Sequence, residues 1–167
     1  MTSAAAVPGA AAPDFDLPVL GGSYRELRDL VHPGGGILIF FKTTCSTSTL
    51  LLTHIGPLAD ALAAEEREFL AVGQGTEEEL ASYRDQHALR FPIACDKEPY
   101  RASRAYAVTT VPTLFVIDGA GRIAERVEGF LKSEVLALGP AVEQALALGD
   151  VPPVLERADE MPDAKPG

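Results

Sequence analysis

Ile37-Leu38-Ile39-Phe40-Phe41-Lys42-Thr43-Thr44-Cys45-Ser46-Thr47-Ser48 is the stretch that decides the fold. Its first five residues form a continuous apolar run, the pattern of a strand buried on both faces. The polar residues that follow end the strand, and from Cys45 onward the sequence reads as a helix to Ile55. Cys45 therefore stands where a strand hands over to a helix N-terminus. Free backbone N–H groups and the helix dipole favour an anion there, which suits a thiolate nucleophile. A cysteine is more commonly a small buried hydrophobe. Here the polar neighbours Lys42, Thr43, Thr44, Ser46 and Thr47 argue against full burial, so Cys45 reads as reactive.

The rest of the composition narrows the field. A chain of 167 residues with 47% hydrophobic and 23% charged residues has the make-up of a globular domain with a sizeable core. A net charge of −10 disfavours binding to nucleic acid and to anionic membranes. No apolar stretch approaches the roughly 18–20 residues of a membrane span. The small, Ala-rich start lacks the pattern of a signal peptide, which sets a cytoplasmic expectation. The two cysteines, Cys45 and Cys95, are too few for a disulfide framework, and none of His32, His54 and His87 lies within four residues of either. Neither a metal site nor a cofactor is expected.

Outward from Cys45, strands and helices alternate. Residues 12–18 form an extended entry, and Ser23 with Glu26 has capping-box spacing for a short helix through about Leu30. Gly56-Pro57 should kink or restart the helix after Ile55, which then continues to about Arg67. Phe69 to Val72 is a second buried strand. Thr76 with Glu79 starts a helix through about His87, and the acids Glu77, Glu78 and Glu79 read as helix N-terminal charge. A short strand ends at Cys95, and a short helix spans Tyr100 to Tyr106. Thr113 to Ile117 is a third buried strand, joined by the turn Asp118-Gly119-Ala120-Gly121 to a returning strand over Arg122 to Val127. Ser133 to Leu148 is helical, bent at Gly139-Pro140. This order predicts an α/β fold with a mixed central sheet and helices on both faces. Residues 1–11 read as a flexible N-terminal tail, 12–149 as the domain, and 150–167 as an acidic, proline-containing tail, mobile or draped on the surface.

The segments APDFDLP (12–18), ILIFFKTTC (37–45), VPTLFVID (111–118) and GAGRIAERVEG (119–129), in this order among the helices, resemble the thioredoxin-like redoxins. Within them the chain most resembles the TlpA-like branch of the alkyl hydroperoxide reductase/thiol-specific antioxidant group, over about residues 12–148. The resemblance implies a three-layer thioredoxin-like fold and thiol–disulfide exchange. It implies that Cys45 attacks, that Pro112 is cis and lies against it, and that Thr44, Val111 and Pro112 border a groove for an extended substrate. Partners would be protein or small-molecule disulfides and thiols, glutathione among them.

The chain departs from the family at several positions. Ser48 fills the place of the resolving cysteine, giving a Cys-x-x-Ser motif; its hydroxyl could donate to the Cys45 thiolate but cannot expel a bound partner. Thr44 replaces the aromatic residue before the cysteine, and Ile39 replaces the buried acid, with Gln74 as a substitute polar contact. In the peroxiredoxin pattern Lys42 and Leu38 stand in place of threonine and proline, and Pro112 fills the slot of the peroxide-binding arginine, which disfavours a thiol peroxidase. Cys95 is a candidate substitute resolving thiol if it comes within about 7 Å of Cys45, Cα to Cα. His54, half a helical turn from Cys45, should face elsewhere. The expected function is antioxidant-type thiol–disulfide exchange through a single nucleophilic cysteine. The alternatives are a non-catalytic peptide-binding or chaperone-like module, a dithiol reductase in which Ser48 is an introduced change, and a peroxiredoxin-like thiol peroxidase.

Overall fold

The structure, a computed structural model, describes residues 6–167. In chain order its elements are β1 (Asp16–Val19), β2 (Ser23–Glu26), α1 (Leu27–Val31), β3 (Gly35–Phe41), α2 (Ser46–His54), α3 (Gly56–Ala64) and β4 (Glu68–Gly73). Then follow α4 (Glu77–Gln86), β5 (Ile93–Cys95), α5 (Arg101–Ala105), β6 (Thr113–Asp118), β7 (Ile123–Glu128), β8 (Phe130–Leu131), α6 (Lys132–Leu136), α7 (Leu138–Ala145) and β9 (Ala164–Lys165).

Seven strands form one mixed sheet in the order β2-β1-β5-β4-β3-β6-β7. The apolar run of β3 lies between β4, its parallel neighbour, and β6, its antiparallel one. All seven residues of β3 are buried, as its unbroken apolar pattern requires. Successive side chains on a strand face opposite ways, and this divides the core in two. Ile37, Ile39 and Phe41 pack with Leu51, Leu52, Leu58, Leu80 and Val142 from α2, α3, α4 and α7. Leu38 and Phe40 pack with Leu30 of α1, Ala102 of α5 and Tyr106. The result is the three-layer α/β arrangement expected from the sequence.

Two glycines at the start of β3 allow its neighbours to close in. A Cβ on Gly36 would lie 2.5 Å from the Glu68 carbonyl oxygen, and one on Gly35 would lie 2.4 Å from the Ile117 carbonyl oxygen. Both contacts are too short for any side chain, so both sheet neighbours approach β3 only because these residues are glycine.

Four local expectations are corrected. Ser23 does not cap a helix: it belongs with Glu26 to β2, which pairs with β1 through Val19↔Ser23 to Asp16↔Glu26, and Glu26 is itself the N-cap of α1. Hairpin pairing overrides the cap signal, and α1 starts one residue later, with the Asp29 carboxylate accepting the Glu26 N–H at 2.7 Å. The break in the last helical region falls at Ala137, not at Gly139-Pro140. Pro140 sits in the first turn of α7, where its missing N–H has no intrahelical partner to lose. By contrast, α2 gives way to α3 at Ile55, beside Pro57 as expected.

The tails supply the other two: the flexible reading of residues 6–11, and the mobile one of the two readings of residues 150–167, the draped reading being the one found. Residues 1–5 of the expected flexible tail lie outside the described residues, but 6–11 run along the free edge of β7. There the Gly9 N–H donates to the Ile123 carbonyl at 2.8 Å, and Arg126 donates to the Ala6 carbonyl at 2.8 Å. Residues 150–167 are draped over the surface but anchored, with Val154, Leu155 and Met161 buried in the core. Their last strand, β9, pairs with β8. The proline-rich composition hid the three apolar anchors. No helix among the described residues is long and apolar enough to cross a membrane.

Candidate active site

Cys45 is the N-cap of α2, held in an extended conformation by a turn in which its N–H donates to the Lys42 carbonyl at 3.2 Å. The cap position aims the side chain back over the first turn, and the Ser48 backbone N–H donates to Sγ at 3.4 Å. Sγ in turn donates to the Val111 carbonyl at 3.4 Å. The Val111–Pro112 peptide is cis, and Pro112 is buried directly ahead of β6. Cys45 is partly exposed. A strand end, a helix N-terminus and the Val111-Pro112 turn thus converge on one accessible thiol.

Behind this thiol lies a connection that the sequence did not suggest. Thr49, one turn along α2, donates to the Cys45 carbonyl at 3.4 Å and shares a 2.7 Å hydrogen bond with the Tyr83 hydroxyl. Tyr83 stacks on Phe41 with ring centroids 5.5 Å apart, so α4 braces the end of β3 and the start of α2 together. Burial pushes the Tyr83 phenol up, the Thr49 hydrogen bond opposes it, and the Cys45 charge adds to the rise. The sequence signal was Leu80 and Tyr83, spaced three apart on the inner face of α4.

Ser48 differs from its expected role. Its side chain is fully buried, yet among the described residues its Oγ has no hydrogen-bond partner. The contact to Cys45 comes from the Ser48 backbone, and the hydroxyl does not reach the sulfur. Gln74 also serves elsewhere: its side-chain amide donates to Ser103 Oγ at 2.8 Å. Ser103 Oγ passes on a 2.6 Å hydrogen bond to the buried Asp96 carboxylate, which also accepts the Ala102 and Ser103 N–H groups at the start of α5. Asp96 was missed because its partners lie six and seven residues away, beyond any cap spacing.

Cys95 is buried on β5 opposite Gly73 of β4, which itself pairs with Phe41. Two strand spacings, about 9–10 Å, therefore separate β5 from the end of β3. That is wider than the roughly 7 Å between Cα atoms that a disulfide spans, so Cys95 lies beyond bridging distance of the end of β3 itself. The two cysteines are not linked, and both are free. Burial pushes the Cys95 thiol up, with the Glu77 charge adding to the rise and Lys97 opposing it. His54 Nδ1 lies 2.8 Å from the Leu50 carbonyl within its own helix, away from the thiol. Thr44 lies beside Cys45 in the loop and is exposed.

Comparison with known proteins agrees with this geometry. The family model described as AhpC/TSA matches residues 8–126. The chain is 30% identical over 130 residues to the thiol-disulfide oxidoreductase ResA of Bacillus cereus, covering 77% of this chain and 73% of that protein. It is 29% identical over 128 residues to ResA of Geobacillus thermodenitrificans, covering 75% and 72%. Among solved structures it is similar to a protein proposed to be a thiol:disulfide interchange protein DsbE, from Chlorobium tepidum. That match has a TM-score of 0.75 and 25% identity, and covers 83% of this chain and 97% of the other. A thioredoxin-like sheet, a cysteine capping α2 and a family match over most of the domain agree: the chain belongs to the AhpC/TSA family, in its TlpA-like branch.

Proposed function

We propose that the protein is a thiol–disulfide oxidoreductase that works through Cys45 alone. The observation that carries this reading is the Cys45 sulfur at the head of α2, faced by the Ser48 N–H and the Val111 carbonyl, while the other cysteine, Cys95, is buried on β5 and unlinked. The thiolate attacks one sulfur of a substrate disulfide. A Cys45–substrate disulfide forms, the original S–S bond breaks, and the departing sulfur leaves as a thiolate that takes a proton from water. A dithiol enzyme would resolve this adduct internally. Here a thiol from solution, of the glutathione class, attacks the adduct and restores Cys45.

The Ser48 N–H and the α2 dipole stabilise negative charge at Sγ as it forms and again as it leaves. The Val111 backbone, beside Pro112 and partly exposed, borders the thiol where an extended substrate would lie. Relatives named thiol-disulfide oxidoreductase support the reaction class. The test is exchange with a mixed disulfide of a peptide and glutathione. The protein should form a stoichiometric adduct at Cys45 that an excess of glutathione releases, and Cys45→Ser should form none. Peptide binding without any adduct would instead favour a non-catalytic binding module, a reading motivated by the serine at position 48.

A further inference from the structure

Residues 164–167 lie against the redox groove. After β7, Gly129 and β8 turn away from the sheet, and β9 pairs antiparallel with β8 through Phe130↔Lys165 and Leu131↔Ala164. Lys132 fixes the approach. Its N–H donates to the Asp163 carbonyl at 2.7 Å, and its ammonium donates to the Ala158 and Met161 carbonyls and pairs with Asp163 at 3.1 Å. From there the chain crosses to α2, where the Thr47 hydroxyl donates to the Pro166 carbonyl. Thr47 is only 2% exposed, although it lies two residues past a partly exposed cysteine. Gly167 lies on the other wall. A Cβ there would stand 2.3 Å from the Val111 carbonyl oxygen and 2.6 Å from the Thr110 methyl. Pro166 and Gly167 thus span Thr47 on one side of Cys45 and Val111 on the other.

We propose that residues 164–167 are a built-in competitor for the substrate groove, and that Thr47 is the specificity-determining group that binds an extended peptide's backbone carbonyl when the segment leaves. This deepens the exchange reading and rests on it for the identity of the incoming peptide. The segment has the features of an extended ligand. It is short and strand-like, presents a carbonyl to a fixed hydroxyl, and touches the Val111 backbone only because Gly167 has no side chain. The occupant that displaces it is an extended polypeptide carrying a disulfide; a small disulfide without amide groups, such as bis(2-hydroxyethyl) disulfide, has no carbonyl for Thr47 to hold. Because only the open fraction of molecules binds, the segment lowers apparent affinity in proportion to its occupancy.

Labelling of Cys45 by a bulky maleimide tests groove access without relying on exchange activity. Gly167→Val, whose side chain collides with Val111, and Lys132→Met, which removes the approach contacts, should each speed labelling by about tenfold. A free peptide of the 163–167 sequence should slow it again. In the Gly167→Val background, where the segment no longer competes, Thr47→Val should raise KM for a peptide disulfide several times more than it changes exchange with bis(2-hydroxyethyl) disulfide, which has no carbonyl. Equal labelling rates in the parent, Gly167→Val and Lys132→Met chains would overturn the competitor. An unchanged peptide KM on adding Thr47→Val to Gly167→Val would overturn the Thr47 role. Faster labelling without any disulfide exchange would leave the competitor standing and sink the exchange reading.

Discussion

Ser48 approaches Cys45 with its backbone and not with its hydroxyl: its N–H lies 3.4 Å from Sγ, while its Oγ is buried without a partner. A buried, unpaired hydroxyl costs about 1–3 kcal/mol. Ser48→Ala should therefore stabilise the fold by about 1 kcal/mol and leave the Cys45 alkylation rate within about twofold of the parent, since α2 keeps its backbone. Urea unfolding and iodoacetamide kinetics measure the two effects. A large loss of reactivity would show that the hydroxyl matters after all.

Ser48→Cys should create a dithiol site. The new sulfur would sit one helical turn from Cys45, at the spacing used by thioredoxin-type motifs. The parent has two free cysteines. On mild oxidation the variant should show a single free thiol, Cys95, and mass spectrometry should find the link between residues 45 and 48. The variant should also reduce a disulfide substrate without needing a thiol from solution for release.

Cys95 should be silent in exchange. It is 1% exposed, and burial holds its thiol in the neutral form. In the native protein one thiol should react fast and one very slowly, with both reacting once the chain is unfolded. Cys95→Ala should keep the adduct yield at Cys45. It should lose about 1 kcal/mol of stability from the vacated core volume.

Asp96 should matter for stability but not for chemistry. It accepts hydrogen bonds from the Ser103 hydroxyl and from the Ala102 and Ser103 N–H groups while 2% exposed. Asp96→Ala strands these donors and should cost about 3 kcal/mol, seen as a lower urea midpoint. Asp96→Asn, which keeps one acceptor oxygen, should lose about half as much. Labelling of Cys45 in either folded variant should match the parent.

Stability should fall on the alkaline side. Burial, with the Asp14 charge adding to it, raises the Tyr106 phenol, and burial raises the Cys95 thiol. Both groups are neutral when protonated, and the folded state holds those protons more tightly than the unfolded chain. The unfolded state therefore releases protons first, so stability is full below the unfolded pKa values of about 8.5 and 10 and declines as pH rises past them. Tyr106→Phe should lose about 1 kcal/mol near neutrality, because the Tyr106 hydroxyl donates to the Pro13 carbonyl at 2.7 Å. It should also flatten the alkaline decline. Thermal melts from pH 7 to 11 check both.

What was legible in the sequence followed from local pattern. The unbroken apolar run of β3 marked a strand buried on both faces, and the polar stretch after it marked the start of α2 at the thiol. The meeting of Val111 with Cys45, 66 residues apart, was legible only through family resemblance. Ser23–Glu26 was misread because a cap signal is local, whereas pairing with β1 is decided by the sheet. The Thr47–Pro166 contact joins residues 119 apart, and nothing in an acidic, proline-containing tail marks where it lands. The unpartnered Ser48 hydroxyl depends on what the surrounding core offers, which no motif encodes.

The position of residues 164–167 also sets an order of events during synthesis. Every group that forms the thiol site, from β3 through Val111 to the end of β7 at Glu128, precedes Ala164 in the chain. At about 5–20 residues per second, the 36 residues from 128 to 164 take about 2–7 s to make. The groups of the thiol site are thus all joined to the chain before the residues that contact Thr47 and Val111 are added, and that contact is the last of the site to become possible.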